Sequence, residues 1–369
     1  MRLLQKECGK CLRHPFLWIV CIAFGLFQFL SIYTYVGNAG MRKELRQMHV
    51  AVTDEETASP EYESAYADYK KTYGGMYDTL DMRKILEQKE KKSGYEPQGV
   101  WGSWIVRNYD RLQKRVEQIR KTGEGTYAFY PGSWYKLHST LYGKLWKNLI
   151  LQTAVLMILS MLYLMDYERI YKTQDLVLAT TTGKKMMEKK MLAGTLCGLF
   201  YAGLLTVFTL LVFFAAVPFQ NLWHVPVAAC MVAEPRLQMM YPFVTFWRLE
   251  QWRYSLLALV VLVGLLGIIA AVTAAVQLFL QNSYFSFAVL GLLFMGAYLL
   301  AYVQMGNVWD LIREFFNPTV LYATSGGWFM ENDLCLSFAG NEFAVLFCSG
   351  TAAVCLMAVG KRRYHRLEV

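Results

Sequence analysis

No phosphate-binding loop of the form G-x-x-x-x-G-K-[ST] occurs in the 369 residues, and neither G-x-S-x-G nor H-E-x-x-H is present. Gly143-Lys144 lacks both the upstream glycine and the following hydroxyl that a phosphate loop needs. The five histidines, at 14, 49, 138, 224 and 365, fall in different segments, so no catalytic or metal constellation can be assembled from neighbours in sequence. The chain therefore offers no P-loop for nucleotide hydrolysis, no nucleophile-elbow serine motif and no H-E-x-x-H zinc motif. The sequence also has no N-x-[ST] acceptor with x other than Pro, which fits a bacterial protein.

Cysteine is present but unorganised. Eight cysteines are scattered, and Cys8-Gly9-Lys10-Cys11 stands as a lone C-x-x-C with no second pair and no following histidine. A zinc or haem site therefore has little support, and two thiols on the apolar side of a short helix is the plainer reading. Cys197, Cys348 and Cys355 fall in apolar runs as packing residues. Cys230 and Cys335 both lie in loops, and spacing alone leaves their pairing open.

The most informative absence is charge. Six long stretches contain no Asp, Glu, Lys or Arg: Pro15–Val36, Asn148–Met165, Met191–Val217, Tyr254–Gln281, Ser283–Tyr302 and Phe343–Gly360. About 20 apolar helical residues cross the ~30 Å hydrocarbon layer, and a charge at its centre costs at least ~2.5–3.5 kcal/mol. The chain is read as an all-α polytopic membrane protein with six transmembrane helices. Apolar interiors with no titratable group also disfavour a proton- or sodium-driven carrier and a pore ringed by charge.

The 37 basic residues set the orientation. With residues 1–14, 166–190 and 361–369 inside, the short inner segments hold 14 Lys/Arg against 6 Asp/Glu, and the outer loops 218–253 and 303–342 hold 4 against 7. Basic residues collect on the cytoplasmic side, so both termini are placed there. The segment 37–147, with 19 basic and 15 acidic residues, is then extracytoplasmic. Gly37-Asn38-Ala39 resembles a signal-peptidase site, but the first apolar run is longer than a signal core, and it is read as an anchor.

The expected organisation follows. Residues 1–14 form a cytoplasmic interfacial helix with Leu4, Cys8, Cys11 and Leu12 on one face, stopped at Pro15. Residues 15–36 are the first span, and 37–147 form a helical extracytoplasmic insert between spans 1 and 2. Within the insert, Ser59-Pro60-Glu61 starts a helix striped by Tyr62, Tyr66, Tyr69 and Tyr73. A second helix covers about Met76–Lys92. A third covers about Trp104–Lys121, with Ile105, Tyr109, Leu112, Val116 and Ile119 as its buried seam. Ser133–Lys147 carries aromatics and lysines and is read as an interfacial helix leading into the second span at 148–165. Residues 166–190 are an inner loop, 191–360 hold four further spans, and 361–369 are a basic tail. In the outer loop 303–342, Asn307 caps an interfacial or re-entrant helix over Val308–Phe316, ended by Asn317-Pro318. Gly194, Gly198 and Ala202, at four-residue steps, are assigned to close helix packing.

The inner loop 166–190 carries the one functional signature. It runs from Asp166 and Glu168 through Leu176-Val177-Leu178 to Thr180-Thr181-Thr182-Gly183-Lys184 and then to Lys189-Lys190. This acid, aliphatic, hydroxyl-turn and lysine pattern resembles the coupling-helix loop of ABC-2 type permeases, the membrane subunits of ATP-binding-cassette exporters. Glu168 matches that family's glutamate at the start of the loop, Ala179–Thr182 its hydroxyl-rich turn, Lys184 the following basic residue, and Lys189 or Lys190 the lysine that opens the third span. Lys6-Glu7 through Leu12-Arg13-His14-Pro15 is similar to the family's opening segment. Lys172-Thr173 and Thr182 depart from it, standing near a usual Gly-Thr and a usual Pro.

The resemblance implies a bacterial plasma-membrane permease that is not itself an enzyme and binds no cofactor. ATP and Mg would sit on a partner, a cytoplasmic ABC ATPase subunit. A second permease subunit, a copy of this chain or a sibling, would complete the unit in the lipid bilayer, with no nucleic acid involved. The substrate class would be amphiphilic: a drug, a peptide or bacteriocin, or a lipid-linked molecule. Glu168, Leu176, Val177, Leu178, Thr180, Thr181, Thr182 and Lys184 would couple to the ATPase. The competing class is a non-transporting membrane scaffold or sensor whose insert 37–147 binds an envelope partner.

Overall fold

The structure is a computed structural model, and it describes residues 2–38, 64, 67, 71, 75, 77–93, 99–124, 137–173, 183–217, 219, 223–230, 235–236, 239–240, 244–303, 308–331 and 338–367. These are helical apart from loops and a two-residue antiparallel ladder, Pro235–Arg236 with Met239–Met240. The helices are α1 (Arg2–Leu12), α2 (Pro15–Gly37), α3 (Met82–Ser93), α4 (Gly99–Thr122), α5 (Trp146–Ile170), α6 (Gly183–Ala216), α7 (Val227–Cys230), α8 (Gln251–Leu280), α9 (Ser283–Tyr302), α10 (Val308–Phe316), α11 (Thr319–Ala323) and α12 (Asn341–Leu367).

Six of them are long and apolar enough to cross a membrane: α2, α5 with its preceding turns, α6, α8, α9 and α12. Burial ranks them. The window of the second span is 67% buried and that of the fifth only 11%, so α5 is the centre of the bundle and α9 its edge. Pro15 opens α2 where a missing N–H costs nothing. Asn282 caps α9 by accepting from the Phe285 N–H at 3.1 Å, and Gln281 just before it takes a left-handed conformation (φ 50°) that turns the chain back. In lipid, helix contacts come from close packing and interhelical hydrogen bonds rather than hydrophobic exclusion. Both appear here. A Cβ on Gly194 would meet Met161 Sδ at 2.9 Å, one on Gly198 would collide with Met157, and one on Gly264 would meet Leu346 Cδ1 at 2.9 Å. Spans two and three, and spans four and six, therefore approach on glycine. Ala202, one turn further, is also buried. Gln28 donates to Gln152 Oε1 at 2.9 Å across the buried face of α2 and α5.

One end of the bundle is tied together by polar contacts. Ser283 Oγ donates to Asp166 Oδ2 at 2.9 Å, Lys361 pairs with Glu188 at 2.8 Å, and α1 lies against the same end through Tyr201, whose hydroxyl donates to the Cys11 carbonyl at 3.4 Å. Segments 2–14, 166–173, 183–190, 281–283 and 361–367 thus share one end.

At the other end a second core forms. The seam Ile105, Tyr109, Leu112, Val116 and Ile119 is buried with Tyr77, Met82, Ile85 and Leu86, and Ala228 and Val244 join it. Arg115 pairs with Glu124 and donates to the Thr245 carbonyl, and Lys89 pairs with the fully buried Glu331. The helices of the insert are therefore held onto the loops between the later spans. Tyr62, Tyr66, Tyr69 and Tyr73, the helix start at Ser59, the Asn307 cap, Cys335 and the Cys230 side chain lie outside the described residues.

One expectation changes. Residues 137–147 are not an interfacial helix separate from the second span. A π-helical segment, Ser139–Leu145, runs straight into α5, and Leu137, Leu141, Tyr142, Leu145 and Trp146 are all buried in protein. The aromatics meet partner rings rather than headgroups: Tyr142 packs edge-on to Tyr254 at 4.6 Å between centroids and hydrogen bonds to Ser255. The lysines Lys184, Lys185, Lys189 and Lys190 lie on α6 itself, which runs without a break from Gly183 into the third span.

Helix α10 has the expected bounds but faces in an informative direction. Asp310 and Glu314 are buried and Arg313 bridges them, whereas Trp309, Ile312 and Phe316 point outward. Its polar face meets protein and its apolar face meets the surroundings, the orientation a helix takes at the edge of a bilayer.

Candidate coupling site

The last turn of α5 carries the site. Tyr171 caps the helix by donating to the Tyr167 carbonyl at 3.1 Å, and Lys172 follows in the left-handed region (φ 55°). Thr173 then folds back, its N–H donating to the Glu168 carbonyl at 2.8 Å. Glu168 lies in that last turn, and its carboxylate points between α1 and α6 rather than into solvent.

Glu168 is 6% exposed and accepts from Lys10 Nζ at 3.1 Å. Its second oxygen contacts Lys190 of α6, itself 4% exposed. Lys10 also binds Glu7 at 2.6 Å and sits over the Tyr167 ring, 4.4 Å from its centroid. Three helices therefore meet on one carboxylate: α1 through Lys10, α5 through Glu168 itself, and α6 through Lys190. Buried charges survive only when paired, so removing Glu168 leaves the buried Lys190 without its ion-pair partner, while Lys10 keeps Glu7.

Of the residues assigned to coupling, Glu168 is thus in a defined environment. The backbone of Lys184 lies in the first turn of α6. Its side chain, and Leu176, Val177, Leu178, Thr180, Thr181 and Thr182, lie outside the described residues. Sequence alone gives Lys10 no mark as a partner of Glu168 beyond its i, i+3 spacing from Glu7 on α1. Cys8 and Cys11 are free thiols packed beside this cluster, and burial pushes the Cys8 thiol up to about 11. Among the described residues no group of three or more His, Cys, Asp or Glu is placed to hold a metal ion.

The opposite end holds a buried histidine. His138 Nδ1 lies 3.3 Å from Gln251 Oε1, and its ring packs against Tyr142 and Tyr254 at 4.7 and 4.8 Å. Burial lowers its pKa from 6.5 to about 4, against smaller opposing contributions from Gln251 and Gly326, so it is neutral at physiological pH.

No protein-family model, curated protein or solved structure matches the chain.

Proposed function

We propose that this chain is the membrane-spanning permease subunit of an ATP-binding-cassette exporter, with both termini and the loop 166–190 in the cytoplasm and the insert 37–147 outside. The observation that carries the reading is the convergence of α1, α5 and α6 on Glu168. A push delivered to the short connection between α5 and α6 is carried to three helices at once, because a buried and paired carboxylate resists separation from its partners. The loop resembling a coupling helix sits between those same two spans, at the end where the basic inner segments gather. In this reading ATP is bound and hydrolysed by a separate cytoplasmic subunit. Leu176, Val177 and Leu178 anchor that subunit, and a second permease completes the pathway. An uncharged interior suits an amphiphilic cargo rather than a small ion.

The test is the double substitution Leu176→Asp and Leu178→Asp. Apolar anchors at the centre of an interface carry most of its affinity. The variant is expected to insert and express normally while losing ATPase association and substrate-stimulated hydrolysis. Undiminished association and export in this variant would overturn the coupling assignment.

A further inference from the structure

The groove beside the Glu168 cluster has a composition that neither helix packing nor coupling requires. It encloses about 670 Å³ between α1, the start of α2 and the last turns of α5. One wall is cationic, formed by Lys6, Lys10 and Arg13, and the facing wall is aromatic, formed by Tyr163, Tyr167 and Tyr171. Among the described residues no carboxylate lines it. Glu7 and Glu168, the acids of the adjoining cluster, are buried and already paired with Lys10 and Lys190. Lys6 and Arg13 are exposed, and among the described residues neither forms an ion pair.

The groove is also well defined. Lys10 is held over Tyr167, and the His14 ring lies on Tyr163 at 4.1 Å between centroids. Trp18 Nε1 donates to the Leu12 carbonyl at 2.8 Å, which fixes the bend between α1 and α2. Pro15 lines the groove, and the helix that begins there continues as an apolar exposed stripe: Phe16, Ile19, Ile22 and Leu26. Cations and aromatic hydroxyls therefore sit at one end of a surface built for hydrocarbon. A phosphate-bearing headgroup with attached acyl chains matches both parts at once, whereas a free anion would use only the first.

We infer that this groove binds the headgroup of an anionic phospholipid, with Lys6 and Arg13 contacting the phosphate and the acyl chains running along α2. The site needs only that the six helices cross a bilayer and does not rest on the ATPase reading. Such a lipid would wedge between α1 and α5 and so brace the same contact that Glu168 makes from behind.

The test uses the purified full-length chain in detergent, with dioleoyl phosphatidylglycerol and dioleoyl phosphatidylcholine added together, and counts retained lipid by native mass spectrometry. Phosphatidylglycerol is expected to be retained about tenfold better than phosphatidylcholine, and Lys6→Gln with Arg13→Gln should reduce its retention about tenfold. The control Lys91→Gln with Arg111→Gln, two exposed positions on the insert, should leave retention unchanged. If the double variant does not keep its unfolding temperature, Arg13→Gln alone is read, with a loss of about threefold expected. Equal retention of the two lipids by the unsubstituted chain, or undiminished retention by the variants, would overturn the proposal. Displacement of phosphatidylglycerol by millimolar inorganic phosphate would assign the groove to a soluble anion and overturn it as a lipid site.

Discussion

Glu168 and Lys10 are 158 positions apart in sequence and 3.1 Å apart in the fold. That pair joins the N-terminal helix to the end of the most buried span, and Lys190 closes the triangle from the third span. Glu168→Ala strands Lys190 in a buried site. It is expected to cost on the order of 3–5 kcal/mol, read as a lowered unfolding midpoint in detergent. Glu168→Gln combined with Lys190→Met, which removes both charges at similar volume, should recover most of the loss. If the single and double variants are equally unstable, the pair is not the source of the effect.

The crossing of α5 and α6 makes a size prediction. A methyl on Gly198 collides with Met157, so Gly198→Ala should destabilise by about 1–3 kcal/mol, and adding Met157→Ala should offset part of that. Gly203→Ala on the same helix meets nothing within 4 Å and should be neutral or slightly stabilising. Thermal unfolding of the four proteins decides. A Gly203 variant as damaged as the Gly198 variant would contradict the packing.

His138 predicts a pH dependence. Its folded pKa, about 4, lies below its unfolded value near 6.5, so the unfolded chain binds the extra proton first as pH falls. The stability linked to this residue is fully present above about pH 6.5 and declines toward pH 4. His138→Gln should flatten that part of the stability profile, measured by thermal unfolding from pH 7 to pH 4. An unchanged slope would mean that other groups set it.

Orientation is tested by labelling. Cysteines placed at Lys185 and Arg363 should be shielded from an impermeant thiol reagent in intact cells, and one placed at Ser64 should react. Labelling at position 185 from outside would reverse the arrangement derived from the basic residues.

How far the sequence carried depended on whether a signal was local. The six spans are legible because charge is absent over whole helical lengths. The seam from Ile105 to Ile119 is legible because burial repeats every third or fourth residue. The bounds of Val308–Phe316 follow from Asn317-Pro318. Its facing does not: periodicity marks two faces but cannot say which meets protein when the surroundings are lipid. Tyr142 and Trp146 misled for a related reason. Aromatics next to lysines describe a headgroup layer and a buried aromatic cluster equally well, and only Tyr254, more than a hundred positions later, distinguishes them. The Glu168 cluster was half legible. The loop pattern singled out the glutamate, but its partner on α1 is set by tertiary packing, for which a single sequence has no local mark.

The most direct measurement of the central claim is recovery of the tagged chain from its native membranes in mild detergent, followed by mass identification of what accompanies it. The account predicts a nucleotide-binding ATPase in comparable amount, lost when Leu176 and Leu178 are replaced by Asp. Repeated recovery without any nucleotide-binding subunit, alongside an envelope protein held by residues 37–147, would contradict it and identify a scaffold instead.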